Sequence, residues 1–554
     1  MKVKDRESLK TLKDLLEYSA ERYASKMMNA FVGDKPVSYS EFGEKVNNLR
    51  EVLKSLGIGH GDKVAIYTHN TPKYSVIYFA IVSMGAITVP LLPDFSSTEV
   101  ENILKHSESK ALFVTKRLRY KVDAIDLPEL KIRFDVDTFS VYENRQDVEN
   151  TAKSVEKEVL PDDIASIVYT SGTTGKSKGV MLTHYNLIVQ LQMVIKIQPV
   201  DENSVFLSIL PLPHAYEGSL GFLLPIFGGS SVYYLEKSPT PTILLPAMQK
   251  VKPTHILTVP LISEKIFKNN ILAKFNKSMI TRYLYKTTVG RKLLHRIAGK
   301  KLYKTFGGRL VFFGIGGAKL DYYTERFLYE AKFPYAIGYG LTETAPLLTA
   351  ALSHNVKPGS AGFKLEEIDM KINDVNDCGI GELWIKSPCL MKGYYKEQEL
   401  TDMVITPDGW FKTGDLVNVN SSGRIYIKGR LKNVILTSSG ENVYPEDIES
   451  LINNFKFVQE SLVVEQKGKL VAMVKINYDE LGSQYNKFKE ELQNKIEENY
   501  RELEKNIEEL KLEIQLYVNS KVNRFSQISS VIVLPFASDF EKTSTMKIKR
   551  YLYA

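Results

Sequence analysis

Cysteine is nearly absent. Cys378 and Cys389 are the only two in 554 residues. That is too few for a disulfide framework and points to a reducing compartment. No histidine lies between or beside them, so they read as two small half-buried residues rather than metal ligands. No signal peptide is expected in residues 1–26, which are charged throughout and have no apolar core. Internal repeats and long low-complexity tracts are absent. Residues 74–93 carry no charge over a membrane-spanning length. Ser75, Ser83, Gly85, Thr88, Pro90 and Pro93 interrupt that run. It is expected to be a buried helix over 74–84, a glycine break and a short strand over 86–92.

What is present is an ordinary globular mixture, 44% apolar and 25% charged. It excludes disorder, collagen and coiled-coil rods as the main architecture. The length suits roughly three or four domain-sized units. Seventy-three basic residues against 65 acidic ones leave a net charge of +8. That excess is compatible with a nucleic-acid or membrane-surface partner.

Short apolar runs alternate with amphipathic helical stretches over the first four hundred residues. Residues 63–69, 111–115, 165–170, 205–210 and 310–314 read as strands. This is α/β layering with largely parallel sheets. Beyond about Gly429 charge becomes denser. A long helix is expected over 485–518, where Phe488, Leu492, Ile496, Tyr500, Leu503, Ile507, Leu510 and Ile514 step by three and four. A strand follows at 531–534. The expected boundary lies near residues 430–433, giving an N-terminal part over 1–431 and a C-terminal part over 432–554.

The most informative segment is YTSGTTGKSKGV, residues 169–180. A strand feeds a run of glycines, hydroxyls and lysines. Glycines let backbone N–H groups turn toward an anion, hydroxyls donate, and Lys176 and Lys178 supply charge. A polar turn is the alternative. A P-loop NTPase requires a glycine five residues before its GKS glycine, and Thr170 stands there.

YTSGTTGKSKGV resembles the phosphate loop of the adenylate-forming (AMP-binding) superfamily of acyl-CoA synthetases, luciferases and peptide-synthetase adenylation domains. Six further motifs follow in that superfamily's order. They are PLPH at 211–214, GIGGA at 314–318, YGLTET at 339–344, DGWFKTGD at 408–415, GRIYIKGRLKN at 423–433 and KTSTMKIKR at 542–550. The resemblance implies a large N-terminal domain of stacked α/β subdomains and a small mobile α+β C-terminal domain.

It also implies roles. Thr170, Ser171, Gly172, Thr173, Thr174, Gly175, Lys176 and Lys178 would cradle the phosphates of ATP. Gly316, Gly317 and Ala318 would receive the adenine, and Tyr339 and Gly340 would also contact the nucleotide. Thr342 would bind the α-phosphate. Glu343, with Thr170, would hold Mg²⁺, a hard cation suited to oxygen ligands. Asp415 would accept from the ribose hydroxyls, assisted by Arg430. Trp410 reads equally well as core. His214, Gly218 and Gly338 would border the acyl pocket. Gly218, Gly221, Gly228 and Gly229 either leave room for an alkyl tunnel or pack helix on sheet. Lys547 would be the catalytic cation, because a carboxylate attacking a phosphate brings two anions together. Met546 stands before it where the superfamily commonly has glycine.

The implied reaction has two steps. A fatty carboxylate attacks the α-phosphate of Mg·ATP, giving acyl-AMP and pyrophosphate, and a thiol then expels AMP. Between the steps the C-terminal domain would rotate about Lys432, withdrawing Lys547 and bringing Ser439, Gly440 and Glu441 to a thiol tunnel. The thiol is that of coenzyme A or of acyl carrier protein, with coenzyme A preferred on family frequency. The helical insertion over 261–309 resembles long-chain enzymes, so a long-chain fatty acid–CoA ligase is expected. The alternatives are an acyl-AMP ligase, an acyl–acyl carrier protein synthetase, or, from another class, an inactive membrane-associated lipid-binding protein.

The basic excess has one address. From Lys265 to Lys304 there are twelve Lys or Arg and no Asp or Glu, which leaves the rest of the chain at −4. Apolar residues interleave these charges as in a membrane-surface helix, with a solvated face as the alternative. No nucleic-acid motif accompanies the cluster. The expected location is cytoplasmic and peripheral, on the inner face of an anionic membrane.

Overall fold

A computed structural model describes residues 5–145, 157–171, 177–275, 278–436, 442–455, 457–478, 496–536, 538–543 and 548–553. Two large mixed sheets dominate. One has eight strands in the order Gly393–Tyr394, Ser177–Thr183, Ile164–Ser171, Ile87–Leu91, Lys63–Tyr67, Ala111–Val114, Ile132–Asp135 and Val141–Asn144. The other has nine strands, with a parallel run through Met27–Phe31, Ser231–Tyr234, Val205–Ser208, His255–Thr258, Phe312–Ile315 and Tyr335–Gly340. Each central run is parallel, and antiparallel strands close the edges. The expectation of largely parallel sheets therefore holds only at the centres. Some of these edge pairs are hairpins, such as Ile132–Asp135 with Val141–Asn144, and Gly393–Tyr394 joins from far along the chain.

The uncharged run 74–93 divides as expected into helix Lys73–Val82 and strand Ile87–Leu91. Every helix residue after Lys73 is buried. Phe222, from a π-helical turn Glu217–Leu223, meets Tyr74, Tyr78 and Phe79 edge-on. The helix thus packs on both sides, which explains its lack of a polar face. Among the described residues no helix is long and apolar enough to cross a membrane.

A four-stranded antiparallel sheet follows, of Asp369–Asn373, Ile380–Lys386, Phe411–Val419 and Ile425–Arg430. Beyond it, strands Val458–Gln466, Lys469–Ile476 and Ser530–Val533 form a separate sheet. Helices Pro445–Ile452 and Ile496–Lys521 pack there, burying Ile448, Ile452, Leu510, Ile514 and Val518 in a core of their own. The first part of the expected long helix, residues 485–495, lies outside the described residues.

The two cysteines are not alike. Cys389 is buried and Cys378 is exposed. Burial pushes the Cys389 thiol up to about 12. Nor is Trp410 core. It is half-buried, with the ammonium of Lys371 4.2 Å and that of Lys386 5.1 Å from its ring centre.

Candidate functional site

The phosphate-loop motif joins two antiparallel strands. Thr170, on strand Ile164–Ser171, faces Lys178 on strand Ser177–Thr183. A capping box between Thr183 and Asn186 then starts helix His184–Ile197. Gly172, Thr173, Thr174, Gly175 and Lys176 lie outside the described residues, as does the side chain of Ser171. Ser439, Gly440, Glu441 and Lys547 also lie outside them.

Strand Ser177–Thr183 also pairs with Gly393–Tyr394. That register sets the Lys178 ammonium 5.0 Å from the centre of the Tyr394 ring. The Tyr394 hydroxyl donates to Glu343 Oε1 at 2.9 Å. Burial and the Glu343 charge raise the Tyr394 hydroxyl far above its usual range, so it stays a donor. Glu343 is further held through its carbonyl, which accepts from the Met391 N–H at 2.8 Å. The structure therefore gathers Lys178 and Glu343 around Tyr394, a residue with no sequence signal of its own.

Thr342 and Glu343 stand on a short 3₁₀ turn, Thr342–Thr344. The chain doubles back there, and the Leu341 N–H donates to the Pro346 carbonyl at 2.9 Å. A Cβ on Gly340 would sit 1.7 Å from that carbonyl oxygen, so only glycine fits. Both Thr342 and Glu343 are half-buried.

Tyr339 connects this turn to the next motif. Its hydroxyl donates to Asp415 Oδ2 at 2.6 Å. Arg430 Nε lies 2.7 Å from Asp415 Oδ1, across a register pair of strands Phe411–Val419 and Ile425–Arg430. The Asp415 side chain is only 4% exposed. A buried carboxylate needs such partners to remain ionised. Burial, then the Asp415 charge, pushes the Tyr339 hydroxyl well above its usual range.

Gly316, Gly317 and Ala318 follow strand Phe312–Ile315. Gly316 is buried, and a Cβ there would lie 3.3 Å from the Tyr216 ring. Gly317 takes φ +86°, and both it and Ala318 are exposed.

Behind this turn lies an apolar pocket enclosing about 510 Å³ of non-atom space, part of it open solvent. Strands His255–Thr258, Phe312–Ile315 and Tyr335–Gly340 wall it with Leu257, Phe312, Gly314, Ala336 and Gly338. Helix His184–Ile197 and the π-helical turn close it with Val194, Ile197 and Leu220. Gln198 and His255 are its polar side chains apart from the Tyr216 hydroxyl. Burial lowers His255 to about 4, so it is neutral at pH 7.

Of the three residues expected at the acyl pocket, Gly338 lines this cavity, and His214 and Gly218 are not on its wall. Their neighbours Tyr216 and Leu220 take those places. The four glycines around them serve packing rather than a tunnel. Cβ atoms would meet the Leu212 carbonyl at Gly218, the Glu217 carboxyl at Gly221, Val200 at Gly228 and Tyr23 at Gly229.

Lys432 lies on an exposed 3₁₀ turn, Leu431–Asn433, directly after Arg430. Contacts cross that point. Asn433 Nδ2 donates to Glu446 Oε1 at 2.6 Å, and Lys319 pairs with Asp447 at 2.7 Å.

A family model described as AMP-binding enzyme matches residues 16–395. The chain is 27% identical to a chloroplastic long-chain-fatty-acid–[acyl-carrier-protein] ligase of Arabidopsis thaliana, covering 85% of this chain and 77% of that protein. It is 28% identical to a peroxisomal long chain acyl-CoA synthetase of the same plant, covering 82% of this chain and 70% of that protein. Among solved structures, ATP-bound MatB from Rhodopseudomonas palustris superposes with a TM-score of 0.74 at 22% identity, covering 98% of both chains. An o-succinylbenzoate coenzyme A synthetase from Bacillus subtilis, in complex with ATP and magnesium ion, superposes with a TM-score of 0.73 at 21% identity, covering 97% of this chain and 98% of that one.

Proposed function

This chain belongs to the AMP-binding enzyme family, and from that premise we propose that it is a long-chain fatty acid–CoA ligase. At the coarser level it is an AMP-forming ligase that activates an acyl group by adenylation. The observation that carries the finer reading is the cavity. Its wall is almost wholly apolar, and its lining residues Tyr216 and Gly338 abut Gly316 of the proposed nucleotide turn. Such a wall rewards methylenes, at about 0.8 kcal/mol each, and offers no cation to a second carboxylate.

In this reading the acid's alkyl chain fills the cavity. Its carboxylate lies toward Thr342, and ATP lies along Asp415, Tyr339 and the 169–180 loop. Asp415 would accept from the ribose hydroxyls through its carboxylate oxygens. Arg430 and Tyr339 aim that carboxylate. Glu343 fits a cation site, for it makes no ion pair among the described residues. Those residues also contain no cluster of three or more His, Cys, Asp or Glu that could hold a metal. Magnesium binds through one or two carboxylates together with substrate phosphates and neutralises charge on them. Lys547 would stabilise the charge that develops as the fatty carboxylate attacks the α-phosphate.

The acyl-AMP so formed is a mixed anhydride, and the thiol of coenzyme A displaces AMP from it. We place the domain boundary at 431/432 and the hinge at Lys432. Thr342, Glu343, Asp415, Arg430 and Lys547 are all retained, which argues against an inactive lipid-binding protein. The test is carboxylate-dependent ATP–pyrophosphate exchange over acids from acetate to oleate. Thioester formation is then compared with coenzyme A and with acyl carrier protein as acceptor. Exchange is expected to rise with chain length, with coenzyme A the better acceptor. No exchange with any acid would overturn the ligase reading.

A further inference from the structure

The crossover between strands His255–Thr258 and Phe312–Ile315 is the basic insertion. Both strands wall the acyl cavity. The crossover ends in two helices packed on one another, Met279–Lys286 and Thr288–Thr305. The inner face of the second helix buries Gly290, His295 and Gly299, with Leu294, Ala298 and Leu302 packed against the core. Arg291 and His295 lie on that face too, within 2.9 Å of the Glu330 carboxylate.

The outer face needs a different account. Val289, Leu293 and Ile297 form a stripe at intervals of four, and Lys292, Arg296, Lys300 and Lys304 form a second stripe beside it. On the first helix Met279, Ile280 and Tyr283 project with Arg282 and Lys286. These six apolar side chains are between 56% and 83% exposed. Scattered exposed leucines are normal, but six large apolar residues on two adjacent helices are not. Among the described residues Lys292, Arg296, Lys300, Lys301 and Lys304 make no ion pair, and no acidic residue occurs between Lys265 and Lys304.

We infer that helices Met279–Lys286 and Thr288–Thr305 dock this protein on an anionic bilayer surface, with Met279, Ile280, Tyr283, Val289, Leu293 and Ile297 entering the interface. Charge complementarity selects an anionic partner. Shape selects a bilayer over an acidic protein. The outer face of a helix is a ridge, and a bilayer accepts an apolar ridge while its headgroups meet the flanking lysines and arginines. Docking there would bring the cavity wall next to the phase that holds long-chain acids.

The test measures binding without turnover, so its outcome is separate from that of the ligase reading. The full-length protein is sedimented with phosphatidylcholine vesicles containing 0 or 30 mol% phosphatidylglycerol, at low and high salt. Two variants are compared with wild type, K292Q/R296Q/K300Q/K301Q and L293S/I297S. Each variant's far-ultraviolet spectrum and its pyrophosphate exchange with a water-soluble acid are checked as controls for folding. We expect wild type to bind anionic vesicles at least about tenfold more tightly than neutral ones, with salt reducing the difference. The charge variant is expected to lose about 600-fold in partitioning, at roughly fivefold for each of the four cations removed. The apolar variant should lose about tenfold or more at both salt concentrations. Wild type that ignores lipid charge, folded variants that bind like wild type, or capture by acyl carrier protein and not by vesicles would each overturn the inference.

Discussion

The carboxyl group of Glu217 occupies the space that Gly221 leaves by having no side chain. A Cβ on Gly221 would lie 2.5 Å from the Glu217 carboxyl carbon. Glu217 is 1% exposed and takes its one hydrogen bond among the described residues from the Ser208 hydroxyl, at 2.5 Å. Gly221→Ala must therefore displace a fully buried acid. We expect a loss of about 1–3 kcal/mol, the usual range for overpacking, read as a lower urea midpoint. Glu217→Ala in the same background should recover part of it. An unchanged midpoint in the single variant would refute the packing account.

The same residue sets a pH dependence. Burial raises Glu217 to about 8, against an ordinary value of 4.5. Between those values the folded chain keeps a proton that the unfolded chain has released. This contribution is complete below pH 4.5 and is lost as pH rises toward 8. Glu217→Gln cannot lose a proton. Its stability relative to wild type should therefore climb between pH 5 and pH 8, by up to about 1.4 kcal/mol per pH unit. Burial holds His184 and His255 to about 4, so they act in the opposite sense and weaken the fold as pH falls from 6.5 toward 4. A difference between variant and wild type that stays flat from pH 5 to pH 8 would rule out a buried neutral acid.

Asp415→Asn keeps the shape of the site and removes its charge. Arg430 would lose its ion pair and the ribose its strong acceptor. A hydrogen bond to a charged group is worth about 1.5–3 kcal/mol, so ATP affinity by calorimetry should fall about 10- to 100-fold. Wild-type affinity would remove Asp415 from the nucleotide site.

Lys547→Ala separates the two half-reactions. Loss of a cation over developing charge should slow acyl-AMP formation about 10²- to 10³-fold. Thioester formation from supplied acyl-AMP should stay near the wild-type rate. Equal losses in both would argue against a rotating C-terminal domain.

Cavity volume should set chain length. Ala336 lies on the wall, and Ala336→Phe would fill part of it. The profile of pyrophosphate exchange should move toward shorter acids while ATP affinity stays unchanged. An unaltered profile would place the alkyl chain elsewhere.

The sequence by itself determined the local features. Strand positions were legible because parallel strands buried on both faces read as continuous apolar runs, as in 63–67 and 111–114. The split of residues 74–93 was legible because glycine and proline break a span. The ordered motifs named the family, and the basic segment showed in its charge alone. Only tertiary structure decided what depends on distant residues meeting. Tyr394 reaches Glu343 through a strand register formed with Val180, and no spacing encodes that pairing. Whether a glycine lines a tunnel or receives a neighbour depends on the atoms opposite it, so Gly221 became intelligible only beside Glu217. Helix Thr288–Thr305 shows the same limit. Its sequence is apolar on two sides, and only packing reveals that one side meets the core while the other is left exposed.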